Sequence, residues 1–569
     1  MNGSNKDIVA TVRAGYAFDG PCVELGALIV DGTPRPDARV RVPLAMLNRH
    51  GLVAGATGTG KTKTLQVMAE QISMAGVPVF AADIKGDLSG LASPGEDDEK
   101  IRARATGIGQ AWEPTAFPVE LLRLGDNGTG VPVRASVTSF GPTLLSKVLE
   151  LNETQESSLG LVFHYADKAG LPLVDLEDLR SVIQHLTSDE GKDDLKELGG
   201  LAKAAAGVIL RELINFAASG ADTFFGEPEF EVEQLLRTTD DGKGVITLLE
   251  LPGVQDRPVL FSTFLMWMLA ELFEVLPEEG DLDKPKLVFF FDEAHLLFKD
   301  ASKAFLDALV QTVRLIRSKG VGVFFVTQTP KDVHEDVLAQ LGSRVQHQLR
   351  AFTPNDADAL RATVKTYPMS GYDLEALLQA VGIGEAVVTV MSEKGAPTPV
   401  AHTMIPAPQS LMDPSAPDVL AAVVAASPLA AKYNERVDPK SAYEMLTGKI
   451  AAGPGAPVDP ASRPSTPTTP YGAPTAESSG PAGAPAPTDT MTELERLEAE
   501  ILGTGTGVGS PAEAPAPRRA PAKRTTRTRS RPDTDDSLLG GALDGFLKSA
   551  GAALAREISR GVFGTRRRR

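Results

Sequence analysis

The chain has 569 residues, 42% of them hydrophobic and 5% aromatic, with a formal net charge of -17. That length allows several domains and a large core, while the acidic balance excludes a surface that attracts phosphate backbones at large, so contact with nucleic acid must run through a local basic patch. The single cysteine, Cys22, excludes an intramolecular disulfide and a cysteine metal cluster and suits a reducing, cytoplasmic location.

Residues 1–11 carry no long apolar run, so no signal peptide is expected. Residues 1–45 hold short alternating runs at 23–30 and 40–42 with Gly and Pro between them, and they read as a small N-terminal β segment. Residues 50–54 form a short apolar strand. Residues 61–75 fit a helix with Leu65, Met68, Ala69 and Ile72 inward, and 77–82 is a second strand. Residues 93–140 are mixed. From 143 to 218 the period becomes helical, with Leu144, Leu145, Val148, Leu151, Leu159, Val162 and Phe163, which predicts a helical insertion at about 140–235 within a core spanning 46–405. Strand-like runs return at 244–251, 286–291, 321–327 and 385–391, and helices fit at 259–275 and 302–319. Strands alternating with helices predict an α/β fold with a parallel-type sheet covered on both faces. The most apolar stretch, 259–276, contains Ser262, Thr263, Glu271 and Glu274, so it reads as a buried helix and no integral membrane segment is expected.

Residues 406–450 read as a helical extension. After about Lys449 the composition turns to Pro, Ala, Gly, Thr and Ser, and 451–535 is predicted to be a disordered linker because it has too little apolar surface to offset chain entropy. Within it lies a basic run of Arg518, Arg519, Lys523, Arg524, Arg527, Arg529 and Arg531. Such a run can condense on DNA, RNA or an anionic membrane, or fold back on the acidic core. Residues 536–569 read as an amphipathic C-terminal helix with Leu538, Leu543, Phe546, Leu547, Leu554 and Ile558, weakened by glycines and ending in Arg566–Arg569. Its expected home is this protein itself.

The strongest chemical signal is Gly55-Ala56-Thr57-Gly58-Thr59-Gly60-Lys61-Thr62, which matches G-x-x-x-x-G-K-[ST] between a strand and a helix. Glycines let the backbone curl round phosphate oxygens, and the following helix points its positive end at the anion. Lys61 is expected to reach the β- and γ-phosphates of ATP, and the Thr62 hydroxyl to ligate Mg2+. The run Leu287-Val288-Phe289-Phe290-Phe291-Asp292-Glu293-Ala294-His295 is an apolar strand that ends in two acids beside the phosphate loop. Asp292 is read as a metal ligand through its water shell and Glu293 as the group that orients the attacking water. A helix cap at Asp292 is the alternative. His295 reads as structural, since no acids or histidines stand at ligand spacing. The strand 321–327 ends in Gln328, whose amide can bond both phosphate and water. Asp83, at the end of the second strand, supports Lys61 or the metal's waters, or only shapes a turn.

In order, GATGTGKT, FFFDEAH and FFVTQTP, with RLIRSKGVG before the last of them, resemble the HerA/FtsK branch of P-loop translocases, and above all the HerA-like bacterial ATPases. Asn48-Arg49-His50-Gly51 and Ala82-Asp83-Ile84-Lys85-Gly86-Asp87 are similar to that family too, and the resemblance covers roughly residues 10–405. It implies a RecA-like core, a hexameric ring and ATP-driven helicase or translocase action on double-stranded DNA, with nuclease or other protein partners. It also implies an arginine that enters the neighbouring subunit's ATP site, for which Arg317 is the match by motif position and Arg314 the second choice. A nucleotide-gated scaffold whose tail recruits partners stays open as the alternative.

Overall fold

The structure, a computed structural model, describes residues 3–452 apart from 126–127, 198–199, 252–257, 281 and 299–302. The linker, basic run and C-terminal helix expected from the sequence lie outside the described residues. The strands are β1 (Cys22–Val30), β2 (Thr33–Pro43), β3 (Gly51–Ala54), β4 (Val79–Asp83), β5 (Val119–Leu124), β6 (Val131–Val133), β7 (Ile246–Glu250), β8 (Leu287–Phe291), β9 (Val321–Thr327), β10 (Ser343–Gln346), β11 (Glu385–Thr389) and β12 (Ala401–Met404). They make one sheet in the order β2-β1-β12-β11-β10-β3-β9-β8-β4-β7-β5-β6. From β10 to β6 every neighbouring pair is parallel. From β10 outward to β2 the pairs are antiparallel.

The central strands β3, β4, β8 and β9 are buried along their whole length, as a parallel sheet covered on both faces requires. Alternate side chains feed two separate cores. Phe289 and Phe291 join one with Phe80, Phe325 and the insertion helices; Val288 and Phe290 join the other with Leu65, Met68 and Ile72 of the helix Lys61–Met74. The helical insertion comprises Val137–Val148, Glu153–Ala169, Leu176–Thr187, the short Lys192–Glu197, and Lys203–Ala218. The larger of these helices contribute to the first core together with the helix Pro258–Val275. No helix among the described residues is long and apolar enough to cross a membrane. The fold is α/β with one large, mostly parallel sheet.

The N-terminal segment differs from its sequence reading. Residues 3–15 form a helix, Gly3–Gly15, and β1 and β2 extend the same sheet through β12 instead of standing apart. Tyr16, at the helix end, is buried and its hydroxyl donates to the Pro399 carbonyl at 2.9 Å. The mixed stretch 93–140 contributes β5 and β6, and Glu120, buried on β5, is paired with Arg237 at 2.6 Å. The extension past 405 runs back over the core, where the amides of Gln409 and Ser410 donate to the buried Glu70 carboxylate at 2.9 Å each. Three helices follow, Pro417–Ala426, Ala430–Tyr433 and Ala442–Ala452.

Candidate active site

Four parallel strands bring the expected site residues to one edge of the sheet. β3 leads into the phosphate loop, β9 into Gln328, β8 into Asp292 and Glu293, and β4 into Asp83. The loop is pinned on both sides: the Gly55 amide donates to the Thr327 carbonyl at 3.2 Å and the Ala56 amide to the Gln348 carbonyl at 2.8 Å. A Cβ on Gly55 would lie 2.5 Å from the His347 Cβ, so this glycine is required by packing alone. Gly58, at φ +80°, has nothing within 4 Å of an added Cβ. The helix Lys61–Met74 starts after Gly60 with no side-chain cap and no acid in its first turn. Its free amides and positive end therefore face the loop, as an anion site needs. Lys61 is 9% exposed and donates from Nζ to the Ala56 carbonyl at 3.3 Å, while Thr62 is half-buried one residue on. Burial pushes the Lys61 ammonium below its ordinary value, against the opposing pull of Glu293 and Asp292.

Asp292 and Glu293 are buried at the end of β8. Asp292 does not cap the short helix His295–Phe298; its Oδ1 accepts the amide of the next residue, Glu293, at 2.8 Å. Burial, with the charges of Glu293 and Asp83, pushes the Asp292 carboxyl up to about 6. Glu293 stands at φ +47°, the left-handed region, and its Oε1 is ion-paired with Lys85. Burial raises the Glu293 carboxyl, but Lys85 outweighs it and holds the group below its ordinary value, with His295 and the Gln328 amide acting in the same sense. His295 Nδ1 lies 3.2 Å from Glu293 Oε2 in a geometry too poor for a hydrogen bond. Gln328 is exposed at the mouth, on the strand between the loop and the acids. The acid strand is thus not the direct neighbour of β3: β9 lies between.

The residues fit a magnesium–triphosphate. The uncapped amides and Lys61 suit phosphate, and Thr62 and Asp292 carry the kind of hard oxygen that Mg2+ takes directly or through water. A polar cavity of about 290 Å³ beside the loop is lined by Ala56, Thr57, Gln328, Arg350, Asn355 and Asp356. A larger cavity of about 630 Å³ adjoins it, but it is lined by Leu52, Leu338 and Tyr367 among others and by no residue of the phosphate loop.

Arg314 and Arg317 are exposed at the opposite end of the sheet, ahead of β9, where they line a cavity of about 310 Å³ with Arg49, His50 and Glu393. They are not brought to the phosphate loop of their own chain. Two contributors carried no sequence signal as site residues. His347 is buried under the loop, with Nε2 2.9 Å from Thr64 Oγ1 and Nδ1 2.7 Å from the Glu385 carbonyl, and burial pushes it down to about 4. Lys85 lies in the quoted segment 82–87, but only its partner's location reveals it.

The sequence model of the family described as helicase HerA-like C-terminal matches residues 29–496. The DNA double-strand break repair helicase HerA of Sulfurisphaera tokodaii is 23% identical over 381 residues, 64% of this chain and 68% of that protein. The helicase of the same description from Saccharolobus solfataricus is 20% identical over 383 residues, 66% of this chain and 67% of that protein. Among solved structures, the plasmid coupling protein TrwB in complex with ADP and Mg2+ is similar at a TM-score of 0.45 and 18% identity, over 70% of this chain and 92% of that one. With a family match that spans most of its length and includes the phosphate loop, the acid strand and the strand ending at Gln328, the chain belongs to the helicase HerA-like C-terminal family.

Proposed function

We propose that this protein is an ATP-hydrolysing motor that assembles as a ring and moves on double-stranded DNA. The observation that carries the reading is the cleft at the strand ends, where the uncapped helix N-terminus and Lys61 face two buried carboxylates across the strand that bears Gln328. In this reading the amides of Gly58–Thr62 and the Lys61 ammonium bind the β- and γ-phosphates. Thr62, and Asp292 through water, would hold Mg2+. The metal, when bound, neutralises phosphate charge and aligns the γ-phosphoryl group. Glu293 orients the attacking water and takes up its proton, and Gln328 bonds the water or the γ-phosphate oxygen. Arg317 of one subunit neutralises charge in the neighbour's site; the support for that is its position at the far end of its own sheet. Action on DNA is supported by family membership and by the relatives named as DNA repair helicases. A nuclease or other protein partner belongs to the same reading.

The test is steady-state ATPase with and without linear duplex DNA, at low and at physiological salt. DNA should stimulate turnover, most strongly at low salt. A flat response would replace the motor with a nucleotide-gated switch. Glu293→Gln should keep ATP binding and lose turnover; normal hydrolysis by that variant removes Glu293 from its role.

A further inference from the structure

The turn after β4 is built round one carboxylate. Asp83 is fully buried; its Oδ1 accepts the amides of Gly86 at 2.7 Å and Asp87 at 3.2 Å, and its Oδ2 accepts the amide of Leu88 at 2.8 Å. A carboxylate tied to three successive amides fixes the backbone it encloses. Lys85 lies inside that turn, just past the end of β4, the strand next to β8, and its ammonium reaches across to Glu293 Oε1.

Glu293 needs such a hold. Its φ of +47° strains a non-glycine backbone, and strain of that kind persists only where the surroundings impose it. The backbone is held by the Glu293 amide on Asp292 Oδ1 at 2.8 Å and by the Ala294 amide on the Val326 carbonyl at 2.9 Å. The side chain is held at Oε1 by Lys85. Oε2 is buried, with His295 Nδ1 3.2 Å away in a geometry too poor for a hydrogen bond. A buried carboxylate oxygen without a well-placed donor is costly, so Oε2 gains from a donor of better geometry such as a bound water.

Taking Glu293 as the water-orienting group proposed above, we infer that Lys85 is a positioning residue of the hydrolytic site: it clamps Glu293 through Oε1 so that Oε2 faces the attacking water. Lys85 acts through Glu293 and not on the phosphates, which are left to Lys61.

The experiment uses the full chain with Lys85→Met, Lys85→Arg, Glu293→Gln and the double variant Lys85→Met/Glu293→Gln. Steady-state and single-turnover ATPase are read beside equilibrium binding of fluorescent ATP and ADP analogues. Lys85→Met should lower kcat about 10- to 100-fold, the usual loss when a reacting group is displaced by about 1 Å, with KM and both binding constants nearly unchanged. Lys85→Arg should restore most of the loss. In the Glu293→Gln background, Lys85→Met should have no further effect, because the two residues act as one unit. Lys85→Gln gives the same reading should the methionine variant fold poorly. A tenfold weaker grip on the ATP analogue with ADP unaffected would make Lys85 a phosphate ligand and overturn the clamp. So would an undiminished kcat in Lys85→Met, or a full additional loss in the double variant. Normal turnover by Glu293→Gln is the separate result that would remove the underlying assignment of Glu293 itself.

Discussion

Replacing Arg317 by alanine probes the most demanding element of the proposed machine, a site shared between two chains. Arg317 begins the short turn Arg317–Lys319 ahead of β9, whereas the phosphate loop follows β3, and the two strands run parallel with Gly51 opposite Phe324 and Ala54 opposite Thr327. At about 3.3 Å per residue, the run from Val321 to Thr327 alone separates the two ends by roughly 20 Å. An extended arginine side chain spans about 7 Å, the length of two residues of extended chain. Arg317 therefore cannot serve its own nucleotide and can reach one only in another subunit. A cation at the transferring phosphoryl group is worth about 10³–10⁵ in kcat, or about 4–7 kcal/mol. Arg317→Ala alone and Lys61→Ala alone should both fall to background, and because Arg317 is exposed its loss should leave the fold intact. Mixed one to one in a ring of head-to-tail interfaces, a site works when its own chain keeps Lys61 and its neighbour keeps Arg317. Each condition holds about half the time, so about a quarter of the interfaces recover, and turnover should return to about 25% of wild type if sites fire independently. The assay is ATPase across mixing ratios after subunit exchange, with light scattering to verify mixed assemblies. Mixed assemblies whose activity equals the sum of the two pure mutants at every ratio would refute a trans arginine at this position.

Two glycines of the phosphate loop should fail in different ways. Gly58→Ala meets open space but must hold φ +80°, so it should lower the melting temperature only modestly yet bind ATP about 10- to 100-fold more weakly, as one or two charge-assisted amide bonds are displaced, measured by titration with a fluorescent analogue. Gly55→Ala, driven against the His347 Cβ, should lower the melting temperature itself. Glu250 gives a pH-dependent prediction. Burial beside Asp83 pushes its carboxyl up to about 7 from an ordinary 4.5, so the folded state prefers the protonated form and that preference fades as pH rises to about 7. Glu250→Gln should therefore gain stability relative to wild type between about pH 4.5 and 7, with no further change above; a melting-temperature difference that does not vary with pH across that window would contradict the cause assigned to Glu250.

The phosphate loop and the acid strand were legible because each is a local pattern in a local context: glycines between an apolar strand and a helix, and five apolar residues ending in two acids. The alternation of strands and helices likewise carries the parallel sheet. What eluded the sequence depends on partners far along the chain. Lys85 reads as one charge in a turn until Glu293, 208 residues on, is seen to meet it. His347 follows β10, whose four residues Ser343–Gln346 show no apolar run and owe their place to pairing with β3 and β11. The helix Gly3–Gly15 is polar for most of its length, and its burial rests on Val9, Val12 and Tyr16, too few to outweigh the strand pattern that follows.

Sheet order is the long-range fact with most bearing on chemistry. With β9 between them, β3 and β8 are two interstrand spacings apart, about 9.5 Å. Acids on the adjoining strand would fall within ion-pair reach of Lys61 and compete with phosphate for it. At two spacings Lys61 senses the charges of Glu293 and Asp292, but no ion pair joins them among the described residues, and the gap between has the width of a phosphate group with its metal. Gln328, on the strand in the middle, is neutral, so it can contact both sides of that gap without attracting the lysine or repelling the anion. The same spacing explains why Glu293 is tied instead to Lys85. β4 is the immediate neighbour of β8 on its other side, so a cation there can hold the carboxylate without drawing it toward the phosphates.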